Sequence, residues 1–133
     1  MRTCSIEEFI AKLASLPLLY PPGTVWDYGF STDVLGLVVE KVSGRRLGEF
    51  LKDSVWDKVG MPDTTFEVPP ENAKRLARPL PNDPLTGKPQ SILALEKPLK
   101  FHCGGSCAFS TVGDYLRFTQ MLLDGGTIDG RRV

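Results

Sequence analysis

Apolar positions recur at helical spacing in several stretches of this 133-residue chain. Ser5-Ile6-Glu7-Glu8 reads as a capping box, serine at the N-cap and glutamate three residues on. Ile6, Phe9, Ile10, Leu13 and Leu16 then fall on one helical face. Pro17 ends this helix near Ser15 or Leu16, because its ring disfavours helical backbone in the residue before it. A second helix is expected from Ser31, its cap, to a glycine stop at Gly44, with Val34, Leu35, Val38, Val39 and Val42 as its apolar stripe. Gly36 inside it costs up to about 1 kcal/mol against alanine, so it is read as permitting close packing. A third helix should run from about Arg46 to Lys58 with Leu47, Phe50, Leu51, Val55 and Trp56 facing inward. The last, capped by Ser110 or Thr111 with Asp114 in its first turn, places Val112, Tyr115, Leu116, Thr119, Leu122 and Leu123 on one face. Gly125-Gly126 ends it.

Between these helices the pattern breaks. From Thr64 to about Phe101, prolines at 69, 70, 79, 81, 84, 89 and 98 are too dense for long regular elements. This stretch is read as an irregular excursion, either a lid-like loop or a surface insertion. Asn82-Asp83-Pro84-Leu85-Thr86-Gly87 is a turn at its centre, and Asp129-Gly130 is a tight turn between short strands near the C-terminus. The expected class is mainly α with little β, in a chain long enough for one domain.

Composition narrows function mostly by exclusion. Apolar residues make up 41% and charged residues 24%, as in ordinary globular domains. Lys+Arg and Asp+Glu stand at 16 each, so no net field recruits nucleic acid or an anionic membrane. No apolar run approaches the roughly 20 residues that span a bilayer. Met1-Arg2-Thr3-Cys4 leads into a charged amphipathic segment rather than a signal peptide. Cys4, Cys103 and Cys107 are odd in number and cannot all pair within one chain, which fits a reducing cytoplasm best. His102-Cys103 with Cys107 offers too few ligands for zinc, and Cys4 is remote, so neither metal nor cofactor is expected.

Gly104-Gly105-Ser106-Cys107-Ala108 approaches a nucleophile elbow. His102, the single histidine, precedes Ser106 by four residues, whereas in α/β-hydrolases the histidine follows the serine. A glycine turn feeding a helix is the stronger account. The remaining candidate is Tyr28. Pro21-Pro22-Gly23 turns the chain, Trp26 offers an anchor for packing, and an extended Val25–Phe30 would point Trp26 and Tyr28 the same way. Tyr28 would then precede a helix N-terminus with its unpaired N–H groups. Read alone, it is a core aromatic or a site residue. A tyrosine base has an ordinary pKa near 10 and needs a cationic partner and a nucleophile to activate. No serine here has lysine three residues later; Ser43 with Arg46 comes nearest.

Pro22-Gly23-Thr24-x-Trp26-x-Tyr28 followed by Asp33-Val34-Leu35-Gly36-x-Val38-Val39-Glu40-x-Val42-Ser43-Gly44 resembles the middle of the serine β-lactamase-like hydrolases. Family VIII carboxylesterases are the nearest likeness, with class C β-lactamases and penicillin-binding proteins as their kin. The resemblance continues through Gly60-Met61-Pro62-Asp63-Thr64 and from Gly104-Gly105 to Ser110-Thr111-x-x-Asp114-Tyr115-Leu116-Arg117-Phe118. It implies the helical region of a β-lactamase/transpeptidase-like fold, whose parent hydrolyses a small-molecule ester or amide through an acyl-serine.

In such hydrolases the S-x-x-K serine is acylated while its lysine and a tyrosine pass the proton. Tyr28 matches that tyrosine, and Gly104, Gly105 and Ser106 would border the pocket. β-Lactamases of this group carry Tyr-x-Asn; Phe30 at the third position favours an esterase-like member. The S-x-x-K and the closing K-T-G or H-x-G strand are missing from these residues, so a cut-out or truncated, inactive fragment is expected. The alternative is a non-catalytic helical module that forms a homo-oligomer or binds a partner through faces a missing sheet would cover.

Overall fold

The computed structural model describes residues 4–90 and 100–133. The start of the expected N-terminal segment, residues 1–3, and the part of the excursion over 91–99 lie outside the described residues. Chain contacts divide the protein into Met1–Phe66 with Leu99–Val133, and Glu67–Pro98.

In the larger unit, helix α1 (Ile6–Ala14) begins on the expected capping box. The Glu8 N–H donates to Ser5 Oγ at 3.2 Å, and the Ser5 N–H donates to Glu8 Oε2 at 2.9 Å. Helix α2 (Ser31–Ser43) departs from expectation at its start. Phe30, not Ser31, is the N-cap, and no side chain caps it. The Val34 N–H already reaches the Phe30 carbonyl at 3.0 Å, which draws Ser31 into the helix proper. Gly44 closes α2 in the left-handed region, φ 68°.

The face that α2 buries is also not the expected one. Leu35, Val38 and Val42 are exposed, while Asp33 and Gly36 are buried. A Cβ on Gly36 would come within 3.2 Å of the Gly104 backbone and 3.1 Å of Leu47 Cδ2. The helix therefore docks by its smallest residue, at backbone contact, with Leu37 and Val39 packing beside it while Leu35, Val38 and Val42 turn away.

Helix α3 (Leu47–Leu51), a π-helical turn (Lys52–Trp56) and helix α4 (Asp57–Val59) form one uninterrupted run where a single α-helix was expected. The Asp57 N–H donates to the Lys52 carbonyl, one residue beyond α-helical spacing. Leu47, Trp56 and Val59 from this run join Met61, Phe66, Met121 and Ile128 in the main core. A second cluster of Ile6, Phe101 and Cys103 gathers Phe9, Ile10 and Leu37.

Helix α5 (Val112–Leu123) is capped by Thr111, whose Oγ1 accepts from the Asp114 N–H at 3.2 Å. The expected inward face of α5 is a second correction: Val112, Tyr115, Leu116, Leu122 and Leu123 are exposed. Polar bonds decide the rotation. Asp114 Oδ2 accepts from the Asp63 N–H and from Thr64 Oγ1, each at 2.8 Å. Arg117 donates through Nε to the Val59 carbonyl at 2.6 Å and through Nη2 to Asp129 Oδ2 at 3.0 Å. These bonds turn Asp114 and Met121 inward, with Phe118 half-buried behind them.

Strands β1 (Thr127–Ile128) and β2 (Arg131–Arg132) pair antiparallel, Thr127 opposite Arg132 and Ile128 opposite Arg131. Asp129 (φ 48°) and Gly130 (φ 73°) supply the two positive φ angles that a two-residue hairpin of this type demands. This is the one sheet among the described residues.

The smaller unit holds a 3₁₀ helix (Pro70–Arg75) and the expected turn, closed by a bridge between Asn82 and Pro89. Asp83 Oδ1 accepts from the Thr86 N–H at 2.7 Å and the Leu85 N–H at 2.9 Å. Those donors hold its carboxyl below the ordinary value of 3.8, Thr86 contributing most. Among the described residues no helix is long and apolar enough to cross a membrane. The fold is mainly α with little sheet, as expected.

Candidate functional site

The Tyr28 segment starts from a tight turn. The Thr24 N–H (3.3 Å) and Oγ1 (2.7 Å) both donate to the Pro21 carbonyl, and Gly23 takes φ 82°. Beyond it, Trp26 is 86% and Tyr28 85% exposed. Trp26 is therefore not the packed anchor expected, because its flank of the chain presents Leu18, Leu19 and Val25, which are exposed themselves. Neither is Tyr28 a core aromatic. Phe30 is fixed more firmly, its ring edge-on to Phe9 at 5.2 Å, with Phe9 stacked on Phe101 at 5.7 Å.

The loop from Phe101 to Phe109 meets this helix start. A Cβ on Gly104 would run into the Thr32 carbonyl oxygen and lie 3.1 Å from the Gly36 nitrogen. One on Gly105 would run into Thr32 Oγ1 and lie 3.0 Å from Asp33 Oδ2. Only glycines allow this approach. The Gly105 N–H donates to Asp33 Oδ1 at 3.4 Å, across a sequence separation of 72 residues. Tyr28 and Phe30 lead into the first turn of α2, and Gly104 and Gly105 lie on that same turn. Ser106 is exposed, its hydroxyl 3.5 Å from Cys107 Sγ.

The single histidine is built into the core. The His102 ring stacks on Phe66 at 4.4 Å, and its Nδ1 accepts from the Gly48 N–H at 3.0 Å. A Cβ on Gly48 would lie 2.7 Å from that nitrogen, so Gly48 is what admits the ring.

Sequence reasoning missed Thr32 and Asp33 as the cradle of the glycine pair; the signal was a polar Thr-Asp step opening an apolar helix. It also missed the disulfide between Cys103 and Cys107. The odd cysteine count holds, with Cys4 buried outside the bond, but it no longer argues for a reducing compartment. Both sulfurs are committed to each other rather than to a metal, and no group of three or more metal-ligating side chains occurs among the described residues.

A separate open groove is lined by Ser110, Thr111, Val112, Tyr115, Leu116 and Thr119, none of them a sequence candidate for the site. Chemically, the α2 end offers a solvent-facing phenol and a backbone wall. It has no serine–lysine pair at S-x-x-K spacing within the sequence.

The Beta-lactamase family model matches residues 2–133. Protein Rv1367c of Mycobacterium tuberculosis is 35% identical over 129 residues, which is 96% of this chain and 32% of that protein. Esterase EstB of Burkholderia gladioli is 38% identical over 66 residues, 50% of this chain and 17% of EstB. The structure of a mutant of simvastatin synthase (LOVD) from Aspergillus terreus superposes with a TM-score of 0.73 at 27% identity, over 90% of this chain and 32% of that one. The chain thus spans about a third of the length of such relatives. With a family model matched along nearly its whole length, this chain belongs to the β-lactamase family.

Proposed function

We propose that this chain is the tyrosine-bearing helical part of an esterase-type serine hydrolase, which cleaves small-molecule esters or amides through an acyl-serine. The observation that carries the reading is the exposed Tyr28 leading into the α2 turn on which Gly104 and Gly105 dock. Tyr28 acts as general base for the nucleophile and as general acid for the leaving group. Gly104, Gly105 and Ser106 form one border of the pocket, and Phe30 stands where an asparagine would contact an amide. The name of EstB supports the ester preference. Serine and lysine come from outside these residues, so the 133-residue chain alone has no esterase activity.

The test uses p-nitrophenyl butyrate. In a chimera where this chain replaces the superposed third of simvastatin synthase, Tyr28→Phe should lower turnover by about 10²–10⁴-fold, the usual contribution of a positioned acid–base group. Unchanged turnover would remove Tyr28 from the mechanism. Turnover by the isolated chain, lost on Tyr28→Phe, would overturn the placement of the nucleophile elsewhere.

The exposed apolar residues of α2 and α5 favour a second reading, a non-catalytic module that self-associates through them.

A further inference from the structure

We propose that the Cys103–Cys107 disulfide is a redox-sensitive latch that holds Gly104 and Gly105 against the first turn of α2. Three features carry this. The bond closes a loop over a sequence separation of 4, with Cα atoms 5.6 Å apart, and the glycine pair lies inside that loop. Cys107 adopts φ 80°, one of two non-glycine residues in the left-handed region among the described residues. An L-residue disfavours that region by roughly tenfold, so something must hold it there. Finally, Cys103 belongs to the α1 cluster, whereas Cys107 packs against both clusters. The bond therefore anchors the loop to the packing beside α2, and Gly105 is presented to Asp33 while it persists.

Opening the latch takes two electrons and two protons from a dithiol. One thiolate of the dithiol attacks Sγ of Cys107, the less buried of the two cysteines, forming a mixed disulfide. The Cys103–Cys107 bond breaks, and the Cys103 thiolate leaves and takes a proton. The second thiol of the reagent then attacks its own sulfur in the mixed disulfide. It closes a cyclic disulfide and releases Cys107, which takes the second proton. With its tether gone, Cys107 relaxes from positive φ and the glycine pair lifts from Thr32 and Asp33.

The bearing of this latch on catalysis rests on the proposed role of the α2 end, but its test needs no substrate. Hydrogen exchange is followed by NMR on the 133-residue chain with and without dithiothreitol, after peptide mapping of the oxidised form. Mapping should find Cys103 linked to Cys107. Reduction should speed exchange of the Gly105 amide at least about tenfold, leaving α5 unchanged. Cys103→Ser should exchange fast with or without reductant. Cys107→Gly, which accepts the left-handed backbone but has no bond to hold the loop, should likewise exchange fast in both. Both cysteines found as thiols in the oxidised protein, or equal Gly105 exchange before and after reduction, would overturn the latch without touching the assignment of Tyr28.

Discussion

Asp33 and Asp114 are carboxylates drawn into the protein by backbone donors from distant loops, and each fixes a contact that apolar patterning does not foretell. Asp114 receives the Asp63 N–H and the Thr64 hydroxyl, so Asp114→Ala would take this acceptor from the Asp63 N–H and leave the Thr64 hydroxyl with Ser110. The expected cost is about 1–3 kcal/mol, measured as a lower urea midpoint at unchanged slope. At this scale the sequence marked the Gly23 turn ahead of Tyr28 and the glycine pair Gly104-Gly105, because prolines and glycines signal special backbone. It concealed Asp33, because an aspartate in a first helical turn also fits simple complementation of the helix dipole. It concealed the disulfide because pairing depends on the direction in which two side chains leave the backbone, which spacing does not report.

At the scale of elements, most caps and stops were legible, the Ser31 cap excepted, and so were the inward faces of α1 and of the α3 run, whereas those of α2 and α5 were not. Ser5, Thr111, Gly44 and the Asp129-Gly130 turn act through local bonds and local backbone angles, which nearby residues determine. The stripes on α2 and α5 are real periodicities, yet a periodicity does not say which neighbour covers it. Gly36 and Arg117 made that choice instead. The turn over 82–87 was legible for the same local reason as the caps, and it gives a pH test. Because Asp83 is held below 3.8, the order it confers is complete above that unfolded value and is lost as pH falls through the lower folded one. An NMR titration of the Thr86 amide should show a midpoint below 3.8, and Asp83→Asn should abolish that transition.

For the whole molecule, the class was legible and the cover was not. Leu35, Val38 and Val42 on α2, and Leu116, Leu122 and Leu123 on α5, are exposed in a chain that offers little sheet to lie over them. Apolar surface of this kind drives association. The isolated chain should scatter light at a mass above 14.7 kDa, and Leu116→Lys with Leu123→Lys should reduce that mass toward it. A well-folded monomer at every concentration would count against self-association and leave the hydrolase reading in place.

The π turn at Lys52–Trp56 has a consequence for how the chain tolerates change in length. Leu47, Leu51, Val55 and Val59 are spaced by fours, and on a straight α-helix such a row drifts by about 40° per step. A turn with one residue more winds that drift back, so Leu47 and Val59 both reach the core. A relative whose helix lacks the turn would carry one residue fewer between Leu51 and Asp57, with the flanking side chains in the same places. Residues 52–54, ahead of the core residue Trp56, are where deletion of one codon leaves the core intact, and where an alignment with such a relative should open its gap.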